Sequence, residues 1–368
     1  MTLYPKLILD ALKNVRYPAS GKDIVSAGMV EDDIRIDGNK VSFSLIFDKP
    51  TDPFIKSLVR AAEAAILTYI SPDVDIKGNI NVKTRTQLPE PVEKPLAGVK
   101  NIIGVSSGKG GVGKSTVAAN LAVALAREGY KVGLLDADIF GPSMPKMFGV
   151  EDEELYMHKV NDRELIIPLE KYGVKLLSIG FLVDKAAPVL WRGSMASNAL
   201  RQLICEADWG DLDYFLIDMP PGTSDIHLTL VQTLALTGVI IVTTPQEVAL
   251  ADARKGVNMF LGEKINVPVL GIVENMAWFT PEKHPDERYY IFGHEGGVRL
   301  AKELGVKLLA QIPLVQAVCD DGDAGEPIAL KESIMGQEFM HLGHEVIEAV
   351  RERNVALPPT EKVNVTKK

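Results

Sequence analysis

Gly108-Lys109-Gly110-Gly111-Val112-Gly113-Lys114-Ser115-Thr116 contains the pattern G-x-x-x-x-G-K-[ST], whose chemistry is the binding of a phosphate chain. Its glycines let consecutive backbone N–H groups turn inward around an anion, and a following helix N-terminus adds partial positive charge. Lys114 would reach the β- and γ-phosphates of a nucleotide, and the Ser115 hydroxyl would sit on Mg²⁺. Two further groupings offer carboxylates to the same chemistry. Asp136-Ala137-Asp138 follows the apolar run ending at Leu135, and residues two apart on an extended chain point to one side. Tyr214-Phe215-Leu216-Ile217-Asp218 is an apolar run closing on a carboxylate, so Asp218 would hold a Mg²⁺-bound water. Met219-Pro220-Pro221-Gly222-Thr223 then reads as a switch II loop, in which the Gly222 N–H could sense the γ-phosphate, whose loss on hydrolysis would release the loop.

These residues need elements that bring them to one place. Asn101–Val105 reads as a buried strand and Val117–Arg127 as a helix, giving the strand, glycine loop, helix order that the motif requires. Beyond residue 99, apolar runs at 101–106, 131–136, 174–180, 213–218, 238–243, 268–274 and 307–312 alternate with helical stretches. That alternation predicts an α/β fold with a mostly parallel, doubly wound sheet covered on both faces, and strand ends in such a sheet line the ligand crevice. Residues 1–86 predict a separate small α/β domain. It has a helix over Leu3–Val15, a hairpin around Asp37-Gly38-Asn39, a second helix opened by Thr51-Asp52-Pro53, and a strand over Val74–Lys83. Residues 87–98, with Pro89, Pro91 and Pro95, predict a semi-rigid linker to a domain spanning 99–354. The tail 355–368 predicts disorder.

Composition narrows the setting. The chain has 368 residues, room for about two domains. A net charge of −9 argues against generic electrostatic affinity for nucleic acid or an anionic membrane. Met1-Thr2-Leu3-Tyr4-Pro5-Lys6 does not read as a secretory signal. Apolar runs such as Val239–Val242 are far short of a membrane span. The cysteines, Cys205 and Cys319, form no CxxC pair, which fits a reducing cytoplasm.

GKGGVGKST resembles the deviant Walker A loop of the ParA/MinD/nitrogenase-iron-protein class of P-loop NTPases, in which the lysine after the first glycine reaches a partner subunit's nucleotide. By that resemblance Lys109 acts in trans within a homodimer, and the enzyme is a Mg²⁺-dependent ATPase. Asp138 then orients or deprotonates the attacking water, while Asp136 lies near Mg²⁺ or in the switch region; which of the two matters more stays open. Gly141-Pro142-Ser143-Met144-Pro145 and Asp218-Met219-Pro220-Pro221-Gly222-Thr223 resemble the Mrp/ApbC iron–sulfur branch. Within it, Asn275 of Glu274-Asn275-Met276 implies an adenine reader, since an amide offers a donor and an acceptor. Gln311-Ile312-Pro313-Leu314 resembles the late loop that closes over the base, with Pro313 on the nucleotide. Trp191-Arg192-Gly193 is similar to the family's WRG stretch, where Arg192 reads either as a partner-facing cation or as a surface cation–π pair.

The small domain, with Ile24-Val25-Ser26-Ala27-Gly28-Met29-Val30, resembles an iron–sulfur-assembly domain. That domain often carries a cysteine before its second helix; Asp52-Pro53-Phe54 stands there, leaving docking or scaffolding as its role. The branch also places C-x-x-C beyond the ENM stretch to hold a [4Fe–4S] cluster between subunits. Here the residues are Ala277-Trp278-Phe279-Thr280-Pro281-Glu282-Lys283-His284-Pro285. Cys319, His284 and His294 are the remaining ligand candidates, each also readable as an inert or solvated side chain. The resemblance therefore implies an ATP-hydrolysing carrier that transfers clusters to apoproteins. Two alternatives remain: an ATP-dependent scaffold without its own cluster, and a ParA/MinD-like positioning ATPase. The last would need a basic amphipathic helix, where Glu338–Arg351 offers mixed charge.

Overall fold

The computed structural model describes residues 3–18, 21–31, 33–47, 52, 54–84, 96–139, 141–160, 163–182, 193–281, 283–284 and 286–363. The chain divides into two compact units, Met1–Glu93 and Lys94–Lys368. Much of the expected linker, and Trp191 and Arg192, lie outside the described residues.

In the first unit, α1 (Pro5–Leu12) buries Ile8, Ala11 and Leu12, the face set by its helical apolar spacing. Strands β1 (Arg35–Asp37) and β2 (Lys40–Phe47) form the antiparallel hairpin. Helix α2 (Ile55–Tyr69) buries Leu58, Ala62, Ala65 and Ile66, and β3 (Ile80–Thr84) pairs parallel to β2. The last strand is shorter than expected. Val74 and Ile76 are buried, but a turn at Gly78, whose φ is +76°, separates them from β3. Asp52 accepts the Phe54 N–H at 2.8 Å and the Tyr17 hydroxyl at 2.5 Å, so the chain ahead of α2 is fixed by a carboxylate.

The second unit opens with β4 (Val99–Ser107), α3 (Lys114–Arg127) and β5 (Val132–Asp136). There follow α4 (Met144–Met147), the hairpin β6 (Met157–Val160) and β7 (Arg163–Ile166), then β8 (Leu169–Lys171) and β9 (Val174–Ser178). Next come α5 (Gly193–Cys205), β10 (Leu212–Asp218), α6 (Asp225–Thr233), β11 (Gly238–Thr243) and α7 (Glu247–Leu261). The chain closes with β12 (Val269–Phe279), α8 (Gly296–Leu304), β13 (Leu308–Leu314), α9 (Gln316–Asp323) and α10 (Ile334–Ala356). One eight-stranded sheet has the order β13-β12-β11-β4-β10-β5-β9-β8. All its pairings are parallel except β8 with β9. Alternate residues feed opposite cores: Ile103, Leu134 and Leu216 pack with α3 and α10, Ile102, Leu135 and Ile217 with α5 to α8. This is the P-loop NTPase fold.

Three local expectations differ. Gln311–Leu314 belongs to strand β13 rather than a loop, and Pro313 is tolerated because β13 is an edge strand. Strand β12 continues beyond residue 274 to Phe279 through a register shift after Asn275, with Met276 at a φ of +54°. Residues 357–363, expected to be disordered, are held: Arg353 donates to the Pro358 carbonyl and the Thr360 hydroxyl, and the Val363 N–H to the Val231 carbonyl.

Candidate nucleotide site

Strands β4, β10 and β5 lie side by side, so their C-terminal ends bring three chemical groups to one spot. Asp218 is in register with Asp136 across β10 and β5, and with Val105 across β10 and β4. The Gly108–Gly113 loop leaves β4 and enters α3 at Lys114. Here Lys114 is buried, and its Nζ donates to Asp218 Oδ1 at 2.5 Å and to Ser115 Oγ at 3.2 Å. The Ser115 hydroxyl donates to Asp218 Oδ2 at 2.6 Å, and Asp138 Oδ2 stands 3.7 Å from Lys114 Nζ. One buried cation thus compensates two buried carboxylates. Burial raises Asp218 above the ordinary carboxylate range, with the attraction of Lys114 only partly offsetting it.

Asp136 plays a different part. Its Oδ2 accepts the Ser143 and Met144 N–H groups, both at 3.1 Å, and the Ser178 hydroxyl at 2.9 Å. Its Oδ1 accepts the Asp138 N–H at 3.2 Å. This carboxylate, wholly buried, ties the Asp138, Ser143 and Met144 amides to Ser178 of β9. Burial, followed by the neighbouring Asp218 charge, pushes its pKa up to about 7.

Gly113 has a φ of +79°, and a Cβ there would lie 2.2 Å from Asn275 Nδ2. That close approach lets the Asn275 amide donate to the Val112 carbonyl at 2.8 Å. Its carbonyl end remains for a ligand, in a cavity of about 440 Å³ lined by Gly113, Thr116, Asn275, Pro313, Val318 and Cys319 among others. The volume falls within the ordinary range of small-molecule sites. Lys109 is half-buried and makes no ion pair with a described residue. In switch II, the Gly222 N–H donates to the Ser107 carbonyl at 2.9 Å.

Two residues that sequence reasoning missed complete the frame. Glu274, fully buried, accepts the Gly297 N–H at 2.8 Å and the Gln311 amide at 2.5 Å, joining β12, α8 and β13 behind Asn275. His227, also buried, sits under switch II with its pKa lowered to about 4 by burial. A carboxylate closing an apolar strand was the available signal for Glu274; nothing in the sequence marked His227.

The iron–sulfur candidates do not come together. Cys205 ends α5 and Cys319 lies on α9; both are exposed and free. His284 lies beside Glu287 and His294 packs edge-on against Tyr290. Among the described residues no group of three or more His, Cys, Asp or Glu side chains could hold a metal ion. Nor, among them, is any helix long and apolar enough to cross a membrane.

Comparison with known proteins adds a family context. Residues 98–347 match the family described as NUBPL iron-transfer P-loop NTPase, and residues 6–77 match the family described as iron-sulfur cluster assembly protein. The iron-sulfur cluster carrier protein of Synechocystis is 44% identical over 326 residues, covering 88% of this chain and 91% of that protein. The protein of the same name from Aquifex aeolicus is 40% identical, covering 94% and 98%. A solved nucleotide-binding protein from Archaeoglobus fulgidus, in complex with ADP, is 37% identical with a TM-score of 0.56; the match covers 65% of this chain and 92% of that one.

Proposed function

Because the chain belongs to the NUBPL iron-transfer P-loop NTPase family, we propose that it is a Mg²⁺-dependent ATPase that carries iron–sulfur clusters to apoproteins and works as a homodimer. The observation that carries the ATPase reading is the meeting of Lys114, Ser115, Asp218 and Asp138 beneath a glycine loop. Ser115 Oγ and Asp218 Oδ2 are adjacent hard oxygen donors, which suits Mg²⁺. Bound there, Mg²⁺ would supply charge neutralisation for the β- and γ-phosphates.

The chain's own residues have separable tasks. The amides of 108–116 wrap the phosphates, and Lys114 leaves Asp218 to pair with them. Asn275 presents its carbonyl oxygen, left by the bond to Val112, to an exocyclic amine, a preference for adenine. Asp138 positions water for in-line attack on the γ-phosphate. Lys109 reaches the partner's nucleotide, which accounts for a lysine that pairs with no described carboxylate of its own subunit. Pro220 and Gly222 belong to the loop that responds when the phosphate leaves: the Gly222 N–H exchanges its bond to Ser107 for one to the γ-phosphate. Steady-state ATPase assays with Mg²⁺ test this reading; no phosphate release above that of Lys114→Ala would refute it.

A second reading is favoured by one observation: the β12–α8 segment carries no thiolate, and the two cysteines lie on different helices. The chain would then be an ATP-gated scaffold that binds clients while another protein holds the cluster. Anaerobic reconstitution with iron and sulfide, read by absorbance, separates the two. Cluster absorbance lost in Cys205→Ala or Cys319→Ala supports the carrier; no absorbance in the wild-type protein supports the scaffold.

A further inference from the structure

His227 touches two segments that the nucleotide reaction uses, though it lies outside the phosphate loop and both carboxylate groupings. Its Nδ1 accepts the Ser224 N–H at 3.1 Å. A backbone N–H can only donate, so the ring proton resides on Nε2. That nitrogen faces Ser106 Oγ at 3.5 Å. The ring is buried beside Phe260, with centroids 6.1 Å apart. Ser106 is one residue from the end of β4, where the phosphate loop begins. Ser224, which caps α6, directly follows switch II, the Met219–Thr223 loop.

The loop itself is held by two backbone bonds. The Met219 N–H donates to the Val105 carbonyl and the Gly222 N–H to the Ser107 carbonyl, both within the run leading to the phosphate loop. Pro221 to Thr223 are partly or fully exposed.

We propose that His227 is a positioning residue for hydrolysis, a fixed post that pins the α6 end of switch II to β4, as the Met219–Val105 bond pins the other end, so that a γ-phosphate displaces only Gly222 and its neighbours. The inference rests on the ATPase reading. With both ends anchored, a small change at Gly222 cannot dissipate into sliding of α6, and the loop has two discrete states, Gly222 bonded to Ser107 or to phosphate. Without the post, nucleotide still binds the glycine loop, but the hydrolytic arrangement is one of many.

Two substitutions and one exchange measurement test this. His227→Phe keeps a ring of similar size and deletes both hydrogen bonds. His227→Gln offers an amide carbonyl to Ser224 and an amide N–H₂ to the Ser106 hydroxyl. The expected result is wild-type ADP affinity in both variants, a kcat per folded molecule lowered about tenfold or more in His227→Phe, and recovery of most of it in His227→Gln. Wild-type kcat in His227→Phe, or ADP affinity falling in step with kcat, would overturn the proposal. So would a glutamine variant no better than the phenylalanine one. If His227→Phe does not fold, hydrogen exchange on the wild-type protein decides. The Ser224 amide should stay protected with and without a non-hydrolysable ATP analogue while Gly222 changes, and free exchange at Ser224 in either state would overturn the idea. Failure of the wild-type protein to bind nucleotide would instead refute the ATPase reading itself.

Discussion

Replacing Gly113 by alanine should damage the site more than the same change at Gly111, although both residues have nearly the same backbone conformation. Their φ angles are +79° and +80°, so each alanine incurs the left-handed strain of about 1–2 kcal/mol. At Gly111 that is the whole effect, because a Cβ there meets nothing within 4 Å. At Gly113 the new methyl would lie 2.2 Å from Asn275 Nδ2, and the carboxamide must move. Its 2.8 Å bond to the Val112 carbonyl is then broken, at about 1 kcal/mol, and the displaced side chain enters the cavity. The expected difference between the two variants is about 1–2 kcal/mol, roughly five- to thirtyfold in nucleotide affinity. Equilibrium titration with a fluorescent ATP analogue reads the affinity, and urea unfolding without nucleotide reads the stability. Equal affinities for the two variants, or tighter binding by Gly113→Ala, would refute the placement of Asn275 over the loop.

Lys114→Ala should abolish productive nucleotide binding, whereas Lys109→Ala should bind ATP normally and lose hydrolysis; normal hydrolysis by Lys109→Ala would rule out its action in trans. Asp218→Asn should raise the Mg²⁺ concentration needed for half-maximal hydrolysis about tenfold or more, and chelation by EDTA should silence the wild-type enzyme; an unchanged Mg²⁺ requirement would remove Asp218 from the metal site. Burial lowers His227 to about 4 from an ordinary 6.5, so the folded state holds that proton less tightly than the unfolded chain. The stability of wild type relative to His227→Gln should therefore be full above pH 6.5 and fall by about 3 kcal/mol as the pH drops towards 4. Urea titrations that show a pH-independent difference would mean that the imidazole is not buried neutral.

The parallel sheet was legible because its strands are buried on both faces and so read as uninterrupted apolar runs, each ended by a helix. All seven expected runs are the parallel strands of the second unit. The hairpin β6–β7 was not, because its residues are mostly exposed and exposure removes the alternation that marks a strand. The hold on segment 357–363 was hidden because Arg353 grips it through a carbonyl and a hydroxyl, contacts that composition does not announce. At the site, the sequence pointed to Lys114, Ser115 and Asp218 through their motifs. The partners of Asp136 come from Ser143, Met144 and Ser178, which only the β5–β9 pairing and the loop return bring to it. Glu274 holds Gly297 and Gln311, and His227 meets Ser106 of β4; these partners are distant in the chain, and no spacing rule connects them.

Isothermal titration of Mg²⁺ATP into the purified protein, beside Lys114→Ala, probes the phosphate cradle without assuming any client or cluster. The wild-type protein should give a saturable heat at one nucleotide per chain and the Lys114→Ala variant none. Absence of heat with the wild-type protein, or equal binding by both, would contradict the placement of the nucleotide on residues 108–116.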